Sequence, residues 1–312
     1  MVQAIRHQPW HLWLQAVAFC ALLLSGATAL AATEARVVYV EGSVTRTDGR
    51  ETPLDIGDAV PLDATLRVFP SSFIELSVAN GRIFLSEPGQ YALAPLAARA
   101  GNPAIRAASG AVRGLVRSLG RDTAAPRTSV AAGVRGDEAP GDSSSGPLWI
   151  TSDIADELVA EALLYREDGL YDLALDTLGD AREFGADEAT VRFHEAGVLF
   201  HRGDPRRALE VLSVEQPGQR HELWEAHLLL QAEISYELSM HSSVHAMLEP
   251  LLEDEGTLSD SARTSAMLLL ALSYHAYGRP RKAAYYLDRL ARDTSPADPE
   301  LAELVTALRS AW

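Results

Sequence analysis

The sequence predicts an α+β multidomain fold, a small antiparallel β domain followed by an all-α helical solenoid. Three observations predict it. Between residues 36 and about 95 apolar residues recur with a period of two. From Ser152 onward the apolar period becomes 3.6. That second stretch also repeats itself at about 34 residues, the mark of stacked helix pairs.

Residues 1–31 come first and belong to neither part. Arg6 and His7 precede an apolar stretch from Leu12 to Leu24, followed by small residues ending in Ala29-Leu30-Ala31. A basic start, a short apolar core and an Ala-x-Ala exit predict a secretory signal peptide, cleaved after Ala31 or, as second choice, after Ala29. The apolar core of 13 residues falls short of the ~20 a bilayer span requires. An uncleaved anchor is the competing reading. Lipid attachment at Cys20 is disfavoured because bulky Phe19 stands where a small residue is wanted. Cys20 is the sole cysteine, so the mature chain is expected to have no disulfide or thiolate chemistry.

Net charge is −16, which argues against general nucleic-acid binding. From Thr151 to the end 30 acids face 14 bases, whereas residues 32–150 are nearly balanced. The acid therefore belongs to the helical half.

Within the β region, Val37, Val38 and Val40 lead to Gly42, and Ser43-Val44-Thr45 leads to a hairpin turn at Asp48-Gly49. Ile74, Leu76 and Val78 share one face of a strand, which Asn80-Gly81 turns into Ile83-Phe84-Leu85. Leu54 to Asp58 and Pro61-Leu62 read as a loop with a short edge strand. The order Gly42-Ser43-Val44, Pro53-Leu54-x-x-Gly57-Asp58, Phe73-Ile74-Glu75-Leu76 and Ile83-Phe84-Leu85-x-x-x-Gly89 resembles the FecR-like domain family. Thr128 to Gly136, with its Val134-Arg135-Gly136, resembles that family's closing strand, so the likeness covers residues 36–137 discontinuously. It implies an envelope β domain used for signalling or surface binding. Signalling members carry a membrane helix and a cytoplasmic anti-sigma segment ahead of the domain, and this chain shows neither pattern.

Between those matches, residues 97–127 form an insertion rich in Ala, Gly and Arg. Ala104 to Leu119 has helical spacing, although Gly110 and Gly114 weaken it. From Arg99 to Arg135 seven arginines accompany one acid, Asp122. This stretch reads as a solvated, partly flexible connector; a docking stripe for an anionic surface or a partner is the sharper alternative. Residues 138–151, rich in Ser, Gly and Pro, read as the flexible linker.

The repeats occupy residues 152–297. Aligned on Ala162, Ala196, Ala232 and Ala271, each unit has a second small residue twelve positions on: Ala174, Ala208, Val244 and Ala283. Four positions further lies Leu178, Leu212, Leu248 or Leu287. Seven positions after the first alanine come Gly169, Gly203 and Gly278, with Ser239 in the third unit. Small residues let two antiparallel helices approach, glycine closes the first helix, and leucine fills the space toward the next unit. Residues 298–312 form an amphipathic cap with Leu301, Leu304, Val305 and Leu308 on one face. The pattern resembles the tetratricopeptide repeat family, making the helical half TPR-like; the third unit departs most. The resemblance implies binding of a peptide or protein.

In such arrays the first helices line a concave groove. Projecting the register places Arg166 and Glu167 there from unit one, and Phe193, Phe200 and His201 from unit two. Unit three adds Leu229, Glu233, Tyr236 and Glu237, and unit four adds Leu268 and His275. Acids beside aromatics suit an extended peptide with apolar and basic side chains. Packing between units is the equal alternative for Phe193, Phe200 and Leu268.

Other chemistry is weak. His241 and His245 have a metal-compatible spacing but no third ligand. His221-Glu222 begins like a zinc-protease helix, yet Glu225 stands where that motif needs histidine. No catalytic, cofactor or metal site is therefore assigned, and the chain is expected not to be an enzyme. The expected function is an exported, periplasmic or envelope-associated scaffold. Its partner is a protein or peptide, with a cell-wall or envelope component as the second class. No nucleic acid and no transmembrane segment in the mature chain are expected. The alternative is a FecR-like envelope sensor.

Overall fold

The computed structural model describes residues 34–47, 51–124, 148–254, 256–293 and 299–312. The signal segment, the Asp48-Gly49 turn, the 128–136 strand and most of the 138–151 linker lie outside the described residues. Eight strands come first: β1 (Glu34–Glu41), β2 (Val44–Thr47), β3 (Glu51–Pro53), β4 (Ala59–Pro61), β5 (Thr65–Val68), β6 (Phe73–Val78), β7 (Gly81–Leu85) and β8 (Gly89–Ala92). They form two four-stranded antiparallel sheets, ordered β4-β1-β6-β7 and β3-β2-β5-β8. Val37, Val60, Ile74, Leu76 and Leu85 of the first sheet share a buried cluster with Val44, Leu66 and Val68 of the second. The alternation of β6 does what its sequence predicts, with Ile74 and Leu76 fully buried. The pairing of β6 with β7 runs from Ile74 opposite Leu85 to Val78 opposite Gly81. In β1 the register shifts between Val37 and Tyr39. That bulge turns Val38 and Tyr39 to solvent, where a plain alternation would not put both.

Helix α1 (Leu93–Gly101) closes this core with Leu93 and Leu96. Helix α2 (Pro103–Ala124) follows. Asn102 starts it, its side chain accepting from the Ala104 amide at 2.9 Å, with proline in the first helical position. The connector expected over residues 97–127 is thus a 22-residue helix through Ala124. Its Ile105, Ala108, Val112 and Val116 are buried along one stripe, while nothing lies near a side chain built on Gly110 or Gly114. Burial of the stripe offsets the roughly 1 kcal/mol each exposed glycine costs a helix.

The helical half is α3 (Leu148–Glu167), α4 (Tyr171–Glu183), α5 (Glu188–Arg202), α6 (Pro205–Ser213), α7 (Trp224–Glu237), α8 (His241–Glu253), α9 (Asp260–Ala276), α10 (Pro280–Asp293) and α11 (Pro299–Ala311). Helix α3 begins at Leu148, inside the span expected as linker. Helices α3 to α10 pair in sequence as four units, and all twelve small and leucine positions of the repeat are at most 1 % exposed. Gly169, Gly203 and Gly278 have φ of 76°, 94° and 74°; Ser239 takes the same left-handed turn at 59°.

One buried cluster joins Phe73 and Phe84 of the β region, the stripe of α2, units two to four, and Val305 and Leu308 of α11. The β region is bolted to the array by polar contacts as well. Ser86 Oγ donates to the Leu238 carbonyl at 2.9 Å, Glu87 accepts from the Ser242 amide at 3.0 Å, and Arg206 pairs with Glu41. Glu87 thereby caps α8, and its burial raises its carboxyl above the ordinary value against these bonds. Among the described residues no helix is long and apolar enough to cross a membrane.

Candidate functional site: the groove and its resident helix

The face offered by α5, α7 and α9 is covered by α2. Its stripe packs with Phe193, Leu229, Leu230 and Leu268 in one cluster. The approach is closest at Gly120, where a Cβ would sit 2.6 Å from the Phe193 ring. Only glycine fits there without displacing a buried aromatic.

Charge fixes the register of this helix. Arg113 Nε donates to Glu233 Oε1 and Nη2 to Glu237 Oε1, both at 2.9 Å. Its guanidinium also lies 5.2 Å from the Phe200 ring centroid, within cation–π range. One turn on, Arg117 Nη2 stands 3.0 Å from His201 Nε2. His201 Nδ1 is 2.7 Å from the Gly197 carbonyl, so it must be the donor there. Nε2 is then left to accept from Arg117. Burial, then the charges of Arg166, Arg117 and Arg113, hold His201 below its ordinary value, consistent with that neutral tautomer. Glu233 is 2 % exposed. Burial raises its carboxyl to about 8, the pull of Arg113 only partly opposing it.

The predicted groove residues divide. Phe193, Phe200, His201, Glu233 and Glu237 all meet α2. Arg166 lines the same small cavity, about 30 Å³, with Arg113, Arg117, His194 and His201. Tyr236, raised to about 12 by burial, belongs with Glu237 to a second cleft beside the β region. His275 stacks on Trp312 with ring centroids 4.4 Å apart. Leu229 and Leu268 are fully buried packing residues. Glu167 is exposed at the end of α3 and does not line the cavity.

Sequence reasoning missed His194, which lies beside the cavity, 2 % exposed, with neither ring nitrogen bonded. Burial holds it neutral, at about 3. Its position one residue after Phe193 gave no periodic signal. His241 and His245 both address Ser273 Oγ, at 3.2 and 3.1 Å, so a hydroxyl bridges the pair. Among the described residues no group of three or more metal-ligating side chains is assembled.

Fold and site define an α+β protein in which a helical solenoid holds an arginine-bearing helix against its acidic, aromatic face. No protein-family model, curated protein or solved structure matches the chain.

Proposed function

We propose that this protein is an exported cell-envelope adaptor without catalytic role. Its TPR-like repeats hold a partner protein through the groove, and its FecR-like β domain serves as the tethering module. The observation that carries the reading is the seat of α2. Glu233, Glu237 and Phe200 receive Arg113, and His201 receives Arg117 four residues later. That is a receptor for one face of an amphipathic helix with basic residues at i and i+4. In this chain α2 is the resident, and a partner presenting a helix of the same pattern competes with it.

The test is a labelled peptide with the sequence of residues 103–124, titrated into the full chain by fluorescence anisotropy. Arg113→Glu removes the donors to Glu233 and Glu237, sets a like charge against Glu237 and loosens the resident helix. The variant chain is expected to bind the peptide at least about tenfold more tightly than the parent. Equal affinities, with the variant folded by circular dichroism, refute the groove as a helix receptor. Fractionation of cells making the full chain checks export; recovery wholly in the cytosol refutes the envelope assignment.

A further inference from the structure

We infer that the cleft where β7, α1, α2 and the end of α7 meet binds a small organic phosphate monoester with an apolar body. Its volume is about 370 Å³, within the range of small-molecule sites at domain junctions. Four guanidinium groups line it, from Arg82, Arg99, Arg106 and Arg113, against the single carboxyl group of Glu237. Arg113 already holds Glu237, and Arg82 is held by Glu75 at 2.7 Å. Among the described residues Arg99 and Arg106 have no carboxylate partner.

Two arginines without a carboxylate partner therefore line one cleft in a chain of net charge −16, and a dianion bound there would supply the counter-charge. Each guanidinium is a planar fork of donors, so the pair matches the two charges and three terminal oxygens of a phosphate monoester. Asn80 and Ser109 add neutral polar groups to the same wall. Gly101 lets Asn80 stand close: a Cβ there would lie 3.0 Å from Asn80 Nδ2. Buried Ile83, Phe84 and Ile105 make the apolar side, which accounts for a ligand with a ring or short chain behind its phosphate. The charge of Arg99 also reaches into the array. After burial, it helps hold His241 and His275 below their ordinary value.

The cleft shares α2 and Glu237 with the groove, so it exists only while α2 is seated. Arg99 and Arg106 themselves bond none of Glu233, Glu237 and His201, so replacing them tests the cleft without altering the groove contacts.

Isothermal titration of the full chain with phenyl phosphate, inorganic phosphate and phenol tests the site. Phenyl phosphate is expected to bind with Kd below about 1 mM, more tightly than inorganic phosphate, while phenol gives no saturable heat. Replacing Arg99→Gln together with Arg106→Gln is expected to weaken phenyl phosphate at least about tenfold. Among the described residues neither side chain makes an ion pair, so the double variant is expected to keep the parent's melting curve. Three results overturn the proposal: no heat from phenyl phosphate, unchanged affinity in the double variant, or phenol binding as tightly as the phosphate. Inorganic phosphate binding as tightly as phenyl phosphate overturns the apolar half.

Discussion

Arg113 and Glu233 lie 120 residues apart in the chain, yet their side chains meet at 2.9 Å over the centre of the repeat array. Glu233 is enclosed, whereas the Arg113 side chain is 42 % exposed. The pair is therefore asymmetric: Glu233 is shut away from water and draws on Arg113 first and Arg117 second for counter-charge, while Arg113 keeps water. Arg113→Ala is expected to cost about 1–2 kcal/mol, lowered by solvent screening of the guanidinium. Glu233 then retains its proton to still higher pH. Urea unfolding gives the measure; an unchanged midpoint would show that α2 is seated by its apolar stripe alone.

Stability is expected to peak near pH 7. His194, His227, His241 and His245 are held neutral mainly by burial, at about 3, 4, 3 and 4 instead of 6.5. Below pH 6.5 the unfolded chain takes up protons these rings refuse, so acid destabilises the fold. Glu233 acts in the opposite sense. Its folded value of about 8 stands above the ordinary 4.5, so its contribution is complete at low pH and is lost as pH rises from 4.5 through 8. Four imidazoles outweigh one carboxyl group in the lower window; the carboxyl group dominates the upper one. Glu233→Gln should flatten the decline above pH 7 and leave the acid limb in place. Urea midpoints that climb from pH 7 to 8 would contradict the assignment.

Two glycines of α2 should respond in opposite directions. Gly120→Ala drives a methyl group into Phe193 and is expected to destabilise by about 1–3 kcal/mol. Gly114→Ala meets nothing within 4 Å and should stabilise by about 0.5–1 kcal/mol through helix propensity. Thermal melts of both, side by side, separate a docked helix from a solvated one. Equal responses would mean that α2 does not rest on Phe193.

Ser239 stands where the other three units have glycine, and it adopts φ of 59°. A left-handed turn costs a residue with a Cβ about 1–2 kcal/mol, from which the greater freedom of unfolded glycine must be subtracted. Ser239→Gly is expected to raise stability by about 0.5–1 kcal/mol, read as a higher Tm. A lower Tm would show that the Ser239 side chain, 4 % exposed, supports unit three in a way that outweighs its strain.

The repeats were legible because close helix packing writes itself into sequence: Ala162, Ala196, Ala232 and Ala271 sit where nothing larger fits. The β6–β7 hairpin was legible for the same kind of reason, an alternation fixed by one buried face. Strands β5 and β8 were not, since each is four residues long and defined by pairing with the other across more than twenty positions. Helix α2 is legible in the helical spacing of residues 104–119, weakened by Gly110 and Gly114, but its full extent and its docked state are not. What holds it is the burial of Ile105, Val112 and Val116 against the β region and against repeat residues more than seventy positions further on, which local pattern does not reveal. Glu233, Glu237, Phe200 and His201, expected in the groove, all contact α2. That the surface already has a resident became visible only with the tertiary contacts.

Phe73 and Phe84 sit in the same buried cluster as the repeats, and Ser86, Glu87 and Glu41 fasten the strands to Leu238, Ser242 and Arg206. The boundary drawn by sequence composition is therefore not a line along which the chain can be divided. A fragment ending before the repeats would expose the apolar stripe of α2 to water. One beginning at the repeats would open Glu233 and the apolar face around it to water. Each half on its own is expected to be less stable than the full chain, and a load placed on the β region reaches the array through these same contacts.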